Sequence, residues 1–250
     1  MTLKRRMYDA VAPAVFPVLS CTYRKIGTLP PVLTELAGIG DRVMHPHLAT
    51  LCRIVDSLPV ATATITECGV YRGTSLFAIA HRLRVRRMHT RVLGFDSFEG
   101  FPEPSPQDGE IKEARKGFFD DTRYEEVARK TERLGFDNIT LVKGYFDRTL
   151  SRYSNESFGL VHLDVDLFES YRTCLEFFYP RMVPGGYIIC DDYEGSRYPG
   201  AKIAIDSFLA DKPERLETFE DLRNPRPFIR RLTQHSNGAG WCEPVGINTF

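Results

Sequence analysis

Two apolar segments that end abruptly in acidic residues place the strongest constraint on the fold of this 250-residue chain. Segment 158–166 reads FGLVHLDVD, and segment 185–193 reads GGYIICDDY. Short apolar runs rich in β-branched residues are typical of strands that are buried on both faces of a parallel sheet. Their acids then lie at the carboxyl ends of the strands, where α/β sheets bind ligands. Since one helix and one turn separate the segments, we predict neighbouring parallel strands with an acidic site at their ends.

An alternation of strands and helices surrounds these two segments. We predict further strands at 63–67, 91–95, 139–143, 216–219 and 228–232. Helical spacing predicts helices at 75–83, 124–134, 169–179 and 200–209. Repeated strand–helix units predict an α/β fold, doubly wound, with a mostly parallel seven-stranded sheet and helices on both faces.

The segments outside this alternation carry different patterns. Residues 1–60 lack strand-like alternation, and stretches 31–40 and 47–58 show helical spacing. We therefore predict a helical N-terminal extension that packs on, or covers, a main domain of residues 61–250. Segment 99–122 is rich in proline and acidic residues and is long for a loop in a compact domain, which indicates a functional lid.

Composition excludes several classes of function. The 33 basic residues balance the 33 acidic residues, which argues against nucleic acid as a partner. The six cysteines are scattered and form no C-x-x-C pair, which argues against a zinc site and fits a reducing compartment. No apolar stretch approaches the length of a membrane span, and prolines interrupt the apolar N-terminal stretch 10–19. We interpret the protein as cytoplasmic and not membrane-bound, and a homo-oligomer stays open.

A glycine-containing loop, ECGVYRGTS, follows the first predicted strand. Gly69 and Gly73 allow unusual backbone angles and a close approach to a ligand, while Thr74 or Ser75 can cap the following helix. Asp96 ends the second predicted strand, where an acid can accept hydrogen bonds from ribose hydroxyls. The spacing G-x-x-x-G differs from the G-x-G-x-x-G of dinucleotide binders and from phosphate loops. The combination predicts a cofactor that contains a nucleoside.

Six segments taken together resemble the macrocin O-methyltransferase family. In chain order they are ECGVYRGTS, GFDSFEGFP, LVKGYF, HLDVDLFES, YPRMVPGGYIICDDY and GAKIAIDSFL, all within about residues 60–210. That family consists of class I S-adenosylmethionine (SAM) enzymes with a Rossmann-like fold that methylate sugar hydroxyls, typically in natural-product biosynthesis. The resemblance implies SAM and Mg²⁺ as cofactors and a small-molecule sugar or glycoside as substrate. Phe168 stands where tyrosine is common in the family, which is a conservative change.

The resemblance also implies roles for individual residues. Asp164, Asp191 and Asp192 match the magnesium ligands of the family, and Asp166 matches its general base. The implied SAM-binding residues are Glu67, Gly69, Tyr71, Gly73, Thr74 and Ser75 in the loop, Asp96 at the ribose, and Ser97, Tyr145 and Phe146 near the adenine. Carboxylates on adjacent strands, about 5 Å apart, suit a hard cation such as Mg²⁺.

Alternatives remain open for both residues and function. Asp166 could instead cap the helix that begins near Glu169, and His162 is a rival base on the same face as Asp164. A nicotinamide-dependent oxidoreductase is disfavoured by the absent G-x-G-x-x-G motif. A non-catalytic nucleoside-binding protein would have no use for four clustered acids.

Overall fold

A single sheet organises the chain. The computed structural model describes residues 48–59, 63–194, 198–222 and 225–232, so the helix expected at 31–40 lies outside the described residues. The strands are β1 Thr64–Cys68, β2 Val92–Asp96, β3 Ile139–Lys143, β4 Phe158–Leu163, β5 Met182–Cys190, β6 Leu216–Glu217 and β7 Phe228–Arg230. They form one seven-stranded sheet in the order β3-β2-β1-β4-β5-β7-β6. The predicted doubly wound, mostly parallel sheet is confirmed.

Helices cover both faces of this sheet. They are α1 Leu48–Ser57, α2 Thr74–Val85, α3 Tyr124–Leu134, α4 Phe146–Thr149, α5 Phe168–Phe178 and α6 Pro199–Leu209. One hydrophobic cluster joins α1, α2 and α3 to one face, and a second joins α5 and α6 to the other. In the described residues, no helix combines the length and apolar character needed to cross a membrane.

Strand β5 begins earlier than predicted. It begins at Met182 rather than at residue 185, and it ends at Cys190 before the two acids. Phe158 pairs with Met182 whereas Leu160 pairs with Tyr187, so extra residues bulge out of β5. Pro184 and Gly185 lie in this bulge, and Gly185 has a φ of +77°. Proline cannot donate to the ladder and glycine tolerates the left-handed angle, so the strand bends here instead of ending.

Of the last two strands, only β7 runs in the reversed direction. Strand β7 runs antiparallel to β5, and β6 runs antiparallel to β7. Both are shorter than the segments predicted at 216–219 and 228–232. Segment 225–227, which leads into β7, therefore lies beside the carboxyl end of β5.

The position of β1 locates the site. It pairs in parallel with β2 on one side and with β4 on the other, and the order of strands reverses between β1 and β4. The loops that leave the carboxyl ends of these two strands diverge, which opens a crevice where doubly wound sheets bind their ligands. The glycine loop after β1 and the acids after β4 both border this crevice.

Candidate active site

Gly69 joins the glycine loop to the acidic segment. Its φ is +91°, and a Cβ at this position would lie 1.8 Å from the backbone oxygen of Asp164. The Gly69 N–H donates to the Phe95 oxygen (2.9 Å), and the Asp164 N–H donates to the Cys68 oxygen (3.0 Å). The ends of β1, β2 and β4 are thus held together by backbone contacts that only glycine permits.

Gly73 begins helix α2. It occupies the N-cap position with a φ of +81°, and no side chain caps the helix, so the predicted capping by Thr74 or Ser75 is wrong. A Cβ on Gly73 would meet the Phe77 ring at 2.5 Å, which explains why glycine fills this position. Thr74 and Ser75 instead line a small cavity of about 100 Å³ that also contacts Gly69 and Asp164.

Asp96 ties the end of β2 to the glycine loop. One carboxylate oxygen accepts the Tyr71 N–H (2.7 Å), and the other accepts the Phe98 N–H (2.6 Å). Burial raises the pKa of Asp96, and the backbone donors act against that shift. Ser97 shapes the adjoining turn, since its hydroxyl donates to the Gly100 oxygen (2.8 Å). Because each carboxylate oxygen keeps a further lone pair, Asp96 can still accept from a ligand hydroxyl.

A cavity of about 570 Å³ lies over these elements, a volume within the usual range of small-molecule sites. The predicted site residues that line it are Gly69, Tyr71, Asp96, Ser97, Tyr145, Phe146, Asp164 and Asp166. The predicted lid segment supplies another wall through Gly100, Phe101, Lys116 and Phe119. The cavity is therefore bordered by a backbone-rich loop, by aromatic rings and by carboxylates.

The segment expected to be a lid is tied down by its own contacts. The Phe101 N–H donates to the Phe118 oxygen (2.9 Å), and the Gly117 N–H donates to the Phe101 oxygen (3.0 Å). The Phe101 ring packs edge-on against Phe119 (5.2 Å between centroids) and against Tyr198 beside α6 (5.7 Å). These contacts hold the segment as a wall of the cavity.

Three carboxylates converge at the floor of the cavity. Asp164, Asp166 and Asp192 each offer an oxygen, and these atoms all lie within 4.8 Å of one another. One oxygen of Asp192 accepts the backbone N–H of Val165 (3.2 Å) and of Asp166 (2.9 Å) and the hydroxyl of Tyr171 (2.9 Å). Asp166 has a φ of +57°, which is uncommon outside glycine. Asp192 thus stabilises the sharp turn that presents Asp166.

The electrostatics of this cluster favour a cation. Burial raises the pKa of Asp164 and of Asp166 well above the ordinary value, and the neighbouring carboxylates raise both further. Burial and then the charge of Asp191 raise the pKa of Asp192 to about 6. A divalent cation would relieve this repulsion, and three carboxylate oxygens are the donors that Mg²⁺ prefers. The residues present therefore fit a magnesium site.

Asp191 lies in a different set of contacts. Its Oδ1 is 3.1 Å from Nε of Arg226 and 3.5 Å from Nε2 of His162. The Nδ1 atom of His162 is 2.9 Å from Glu67 on the paired strand β1. Asp191, assigned to the metal by the resemblance, is thus not grouped with Asp164 and its neighbours in this arrangement.

His162 is buried between two carboxylates. Burial alone would lower the pKa of His162, but hydrogen bonds to Asp191 and Glu67 outweigh burial and raise it well above the ordinary value. A histidine that holds its proton between two carboxylates is a poor base, which argues against the rival assignment. The second oxygen of Glu67 is buried and has no hydrogen-bond partner among the described residues.

Sequence reasoning missed three residues around the acids. Tyr171, which directly follows the segment HLDVDLFES, contacts Asp192. Arg226, from a segment without a motif, contacts Asp191. Asp108, in the lid segment, accepts the Phe168 N–H at the start of α5 (2.7 Å). Leu167 holds the N-cap position of α5, so the structure does not support the capping alternative for Asp166. The acid-rich composition of the lid gave no signal that one acid is buried.

Comparisons with known proteins agree with this geometry. The family described as macrocin O-methyltransferase (TylF) matches residues 15–217. A tetracenomycin-type rhamnosyl 4'-O-methyltransferase from Streptomyces olivaceus is 34% identical over 151 residues, which cover 56% of this chain and 55% of that protein. Demethyldecarbamoylnovobiocin O-methyltransferase from Streptomyces niveus is 29% identical over 154 residues, 58% of each chain. The chain therefore spans little more than half the length of these relatives.

Two solved structures share the fold. The calicheamicin methyltransferase CalS11 is 25% identical with a TM-score of 0.62, and the match covers 73% of this chain and 76% of that one. The O-methyltransferase NovP is 24% identical with a TM-score of 0.66, covering 76% of this chain and 81% of that one. The second likeness supports the fold alone.

Proposed function

We propose that this chain, which belongs to the macrocin O-methyltransferase family, transfers a methyl group from SAM to a hydroxyl of a sugar. The sugar would be part of a glycosylated natural product or of a nucleotide sugar. The observation that carries the proposal is the contact between the glycine loop and the acid cluster of Asp164, Asp166 and Asp192. Gly69 contacts the Asp164 backbone directly. A nucleoside-type cofactor and a cation would then lie side by side in one cavity. The relatives named above methylate glycosides or natural products according to their names, which supports the same class of acceptor.

SAM fits the residues on the loop side of the cavity. Asp96 would accept from the ribose hydroxyls, and Tyr145 and Phe146 offer aromatic surface for the adenine. The segment from Gly69 to Ser75 would hold the amino-acid end, near the unpartnered oxygen of Glu67. When bound, SAM supplies the methyl group on a positively charged sulfur.

A magnesium ion fits the acid side. Asp164 and Asp192 belong both to the cluster of three carboxylates and to the ligand set that the family resemblance implies. The third ligand would be Asp166 if proximity decided, and Asp191 if the family resemblance decided. We assign it to Asp191, because a carboxylate that binds the cation would lose basicity, and because Asp166 lines the cavity whereas Asp191 does not. Bound Mg²⁺ would supply the charge that lowers the pKa of an acceptor hydroxyl.

The chain's own residues then have distinct tasks. Asp166 accepts the proton of the acceptor hydroxyl, and burial together with neighbouring carboxylates raises the pKa of Asp166 in the direction that a base needs. Asp192 holds the turn that carries Asp166 through two backbone hydrogen bonds. The lid wall around Phe101 keeps water from the reacting groups and aligns the acceptor.

Further proposals concern the N-terminal extension, the cellular location and the substrate. We propose that α1, in the described part of the N-terminal extension, covers the cofactor, since its Leu48 lines the small cavity beside Gly69. Cys68, Cys174 and Cys190 are buried free thiols, as expected of a cytoplasmic enzyme. The partner we propose is a small-molecule sugar or glycoside.

Binding and turnover together test the function. Isothermal titration with SAM and with NAD⁺, each with and without Mg²⁺, should show binding of SAM only. Methyl transfer to a panel of nucleotide sugars and glycosides should then depend on Mg²⁺. Binding of NAD⁺ in place of SAM would support the oxidoreductase alternative, and SAM binding without any transfer would support a non-catalytic protein.

A matched pair of variants tests the assignment of the acids. Asp166→Asn should lower turnover by about 10²-fold or more while the affinity for Mn²⁺, measured by electron paramagnetic resonance, stays within about threefold. Asp191→Asn should weaken Mn²⁺ binding by at least about tenfold. The reverse pattern of Mn²⁺ affinities would make Asp166 the third ligand and remove it as the base.

A further inference from the structure

A buried acid in the lid segment contacts the backbone next to the acid cluster. Asp108 is fully buried, although the segment around it is mostly exposed. One of its carboxylate oxygens accepts the N–H (2.7 Å) and the hydroxyl (2.8 Å) of Ser105. The other accepts the N–H of Phe168, the first residue of α5 (2.7 Å). One side chain therefore connects the lid wall to the helix that follows Asp166.

This contact completes a clamp on the turn 164–168. On one side, Asp192 accepts the N–H groups of Val165 and Asp166. On the other side, Asp108 accepts the N–H of Phe168. Between the two anchors stands Asp166, whose positive φ of 57° is costly outside glycine. A strained backbone persists only when its surroundings hold it, and here the two carboxylates do so.

Helix α6 closes over the same contact. A Cβ on Gly200, near the start of α6, would lie 2.0 Å from the Asp108 oxygen that accepts from Phe168, and 2.9 Å from the Phe168 Cβ. Alanine is a better helix former than glycine, so helix propensity alone does not favour glycine here. The close approach to Asp108 and Phe168 accounts for it. A substitution at Gly200 therefore offers a second way to disturb the clamp without replacing Asp108.

We propose that Asp108 is a positioning residue for Asp166, and that it couples the position of the lid wall to the placement of the base. The inference rests on the proposed function, since it needs Asp166 to act on an acceptor. Through Ser105 the carboxylate fixes the lid wall, and through Phe168 it fixes the end of the 164–168 turn. Displacement of a reacting group by about 1 Å can lower a rate about 10²-fold, so a side chain outside the cavity can control turnover.

Three substitutions test the contact, and a further one serves as the control. Asp108→Ala should lower kcat about 10- to 100-fold, with the dissociation constant of SAM within about threefold of wild type. Asp108→Asn should recover part of the loss, because its amide oxygen can still accept from Phe168. Gly200→Ala should reproduce the kcat loss of Asp108→Ala. Gln107→Ala, on the exposed side of the same turn, is the matched control and should keep kcat within about threefold.

Hydrogen exchange gives a readout that does not depend on turnover. Exchange of the Phe168 amide should become faster in Asp108→Ala and in Gly200→Ala but not in Gln107→Ala. Unchanged kcat and unchanged exchange in a folded Asp108→Ala protein would overturn the inference, as would a loss confined to SAM affinity. If wild type transfers no methyl group, the proposed function fails, while the exchange data still decide whether the clamp exists. Should Asp108→Ala fail to fold, Gly200→Ala and Asp108→Asn carry the same test.

Discussion

The loop side of the cavity, around Asp96, and the acid side, around Asp164, Asp166 and Asp192, stabilise buried negative charge in different ways. Both oxygens of Asp96 accept backbone N–H groups, from Tyr71 and from Phe98. The acids at the other side repel one another, and burial raises the pKa of Asp164 and Asp166 before their neighbours raise it further. Fixed backbone dipoles stabilise one charge, whereas three adjacent charges need a mobile counter-ion. The first side therefore suits an organic cofactor, and the second suits a metal ion.

The two sides meet at backbone contacts, among them the close approach of Gly69 to the oxygen of Asp164. This contact places the cofactor loop within reach of the acid cluster without using a side chain. A substitution on either side should therefore affect one ligand, and a substitution at the contact should affect both. The predictions below test that division.

The largest effect is expected from an acid of the proposed magnesium site. Asp164→Asn should lower kcat by about 10³-fold, because it removes a charged oxygen from the proposed magnesium site. SAM affinity, measured by titration without acceptor, should stay within about threefold. An equal loss of SAM binding would show that the two sides are not separate.

A substitution at the contact between Gly69 and Asp164 should disturb the loop side and the acid side together. Gly69→Ala would place a Cβ 1.8 Å from the Asp164 oxygen at a φ of +91°. Relief of that clash needs a shift of the backbone of β1 or β4, so we expect a loss of about 3 kcal/mol in the free energy of unfolding, measured by urea denaturation. Gly185→Ala is the matched control, since it has a positive φ of +77° but meets nothing within 4 Å. If both variants lose the same stability, backbone strain rather than the contact explains the effect.

The charge of the acid side should appear in the pH dependence of stability. The pKa of Asp192 is raised to about 6 from an ordinary 3.8, so the folded chain binds this proton more tightly than the unfolded chain. This tighter proton binding stabilises the folded chain by on the order of 3 kcal/mol below pH 3.8. The stabilisation is lost as the pH rises through about 6.

Thermal unfolding in a chelator between pH 4 and pH 8 measures this loss. Asp192→Asn should remove this residue's share of the decline, and added Mg²⁺ should stabilise wild type more at pH 8 than at pH 5. A wild-type stability that rises with pH across this window would contradict the raised pKa of Asp192.

The smallest effect is expected on the loop side. Asp96→Ala removes the acceptor of two backbone N–H groups and the proposed acceptor of the ribose hydroxyls. SAM should bind about 10- to 100-fold more weakly, as expected for the loss of hydrogen bonds to a charged group. Mn²⁺ affinity, measured by electron paramagnetic resonance, should stay unchanged. A large change in Mn²⁺ affinity would mean that Asp96 serves the acid side.

Much of the fold could be predicted from the sequence, since buried strands and amphipathic helices have distinct periods. Helix α3 and strand β3 match their predicted bounds, and the acids do follow the ends of β4 and β5. The bulge that extends β5 back to Met182 was missed, because a Pro-Gly-Gly sequence is more typical of a turn than of a strand. The capping of α2 was also missed, because a polar residue next to a glycine does not reveal which of the two occupies the N-cap.

The sequence by itself determined the sheet, the loop after β1 and the gathering of acids, because each depends on residue types that are close together along the chain. Only the tertiary structure decided how the acids divide. It groups Asp166 with Asp164 and Asp192, and it surrounds Asp191 with His162 and Arg226. The physical reason is that burial, charge and a left-handed turn act through neighbours far apart in sequence. The same reason hid Asp108, which lies 60 residues from the N–H group that it holds.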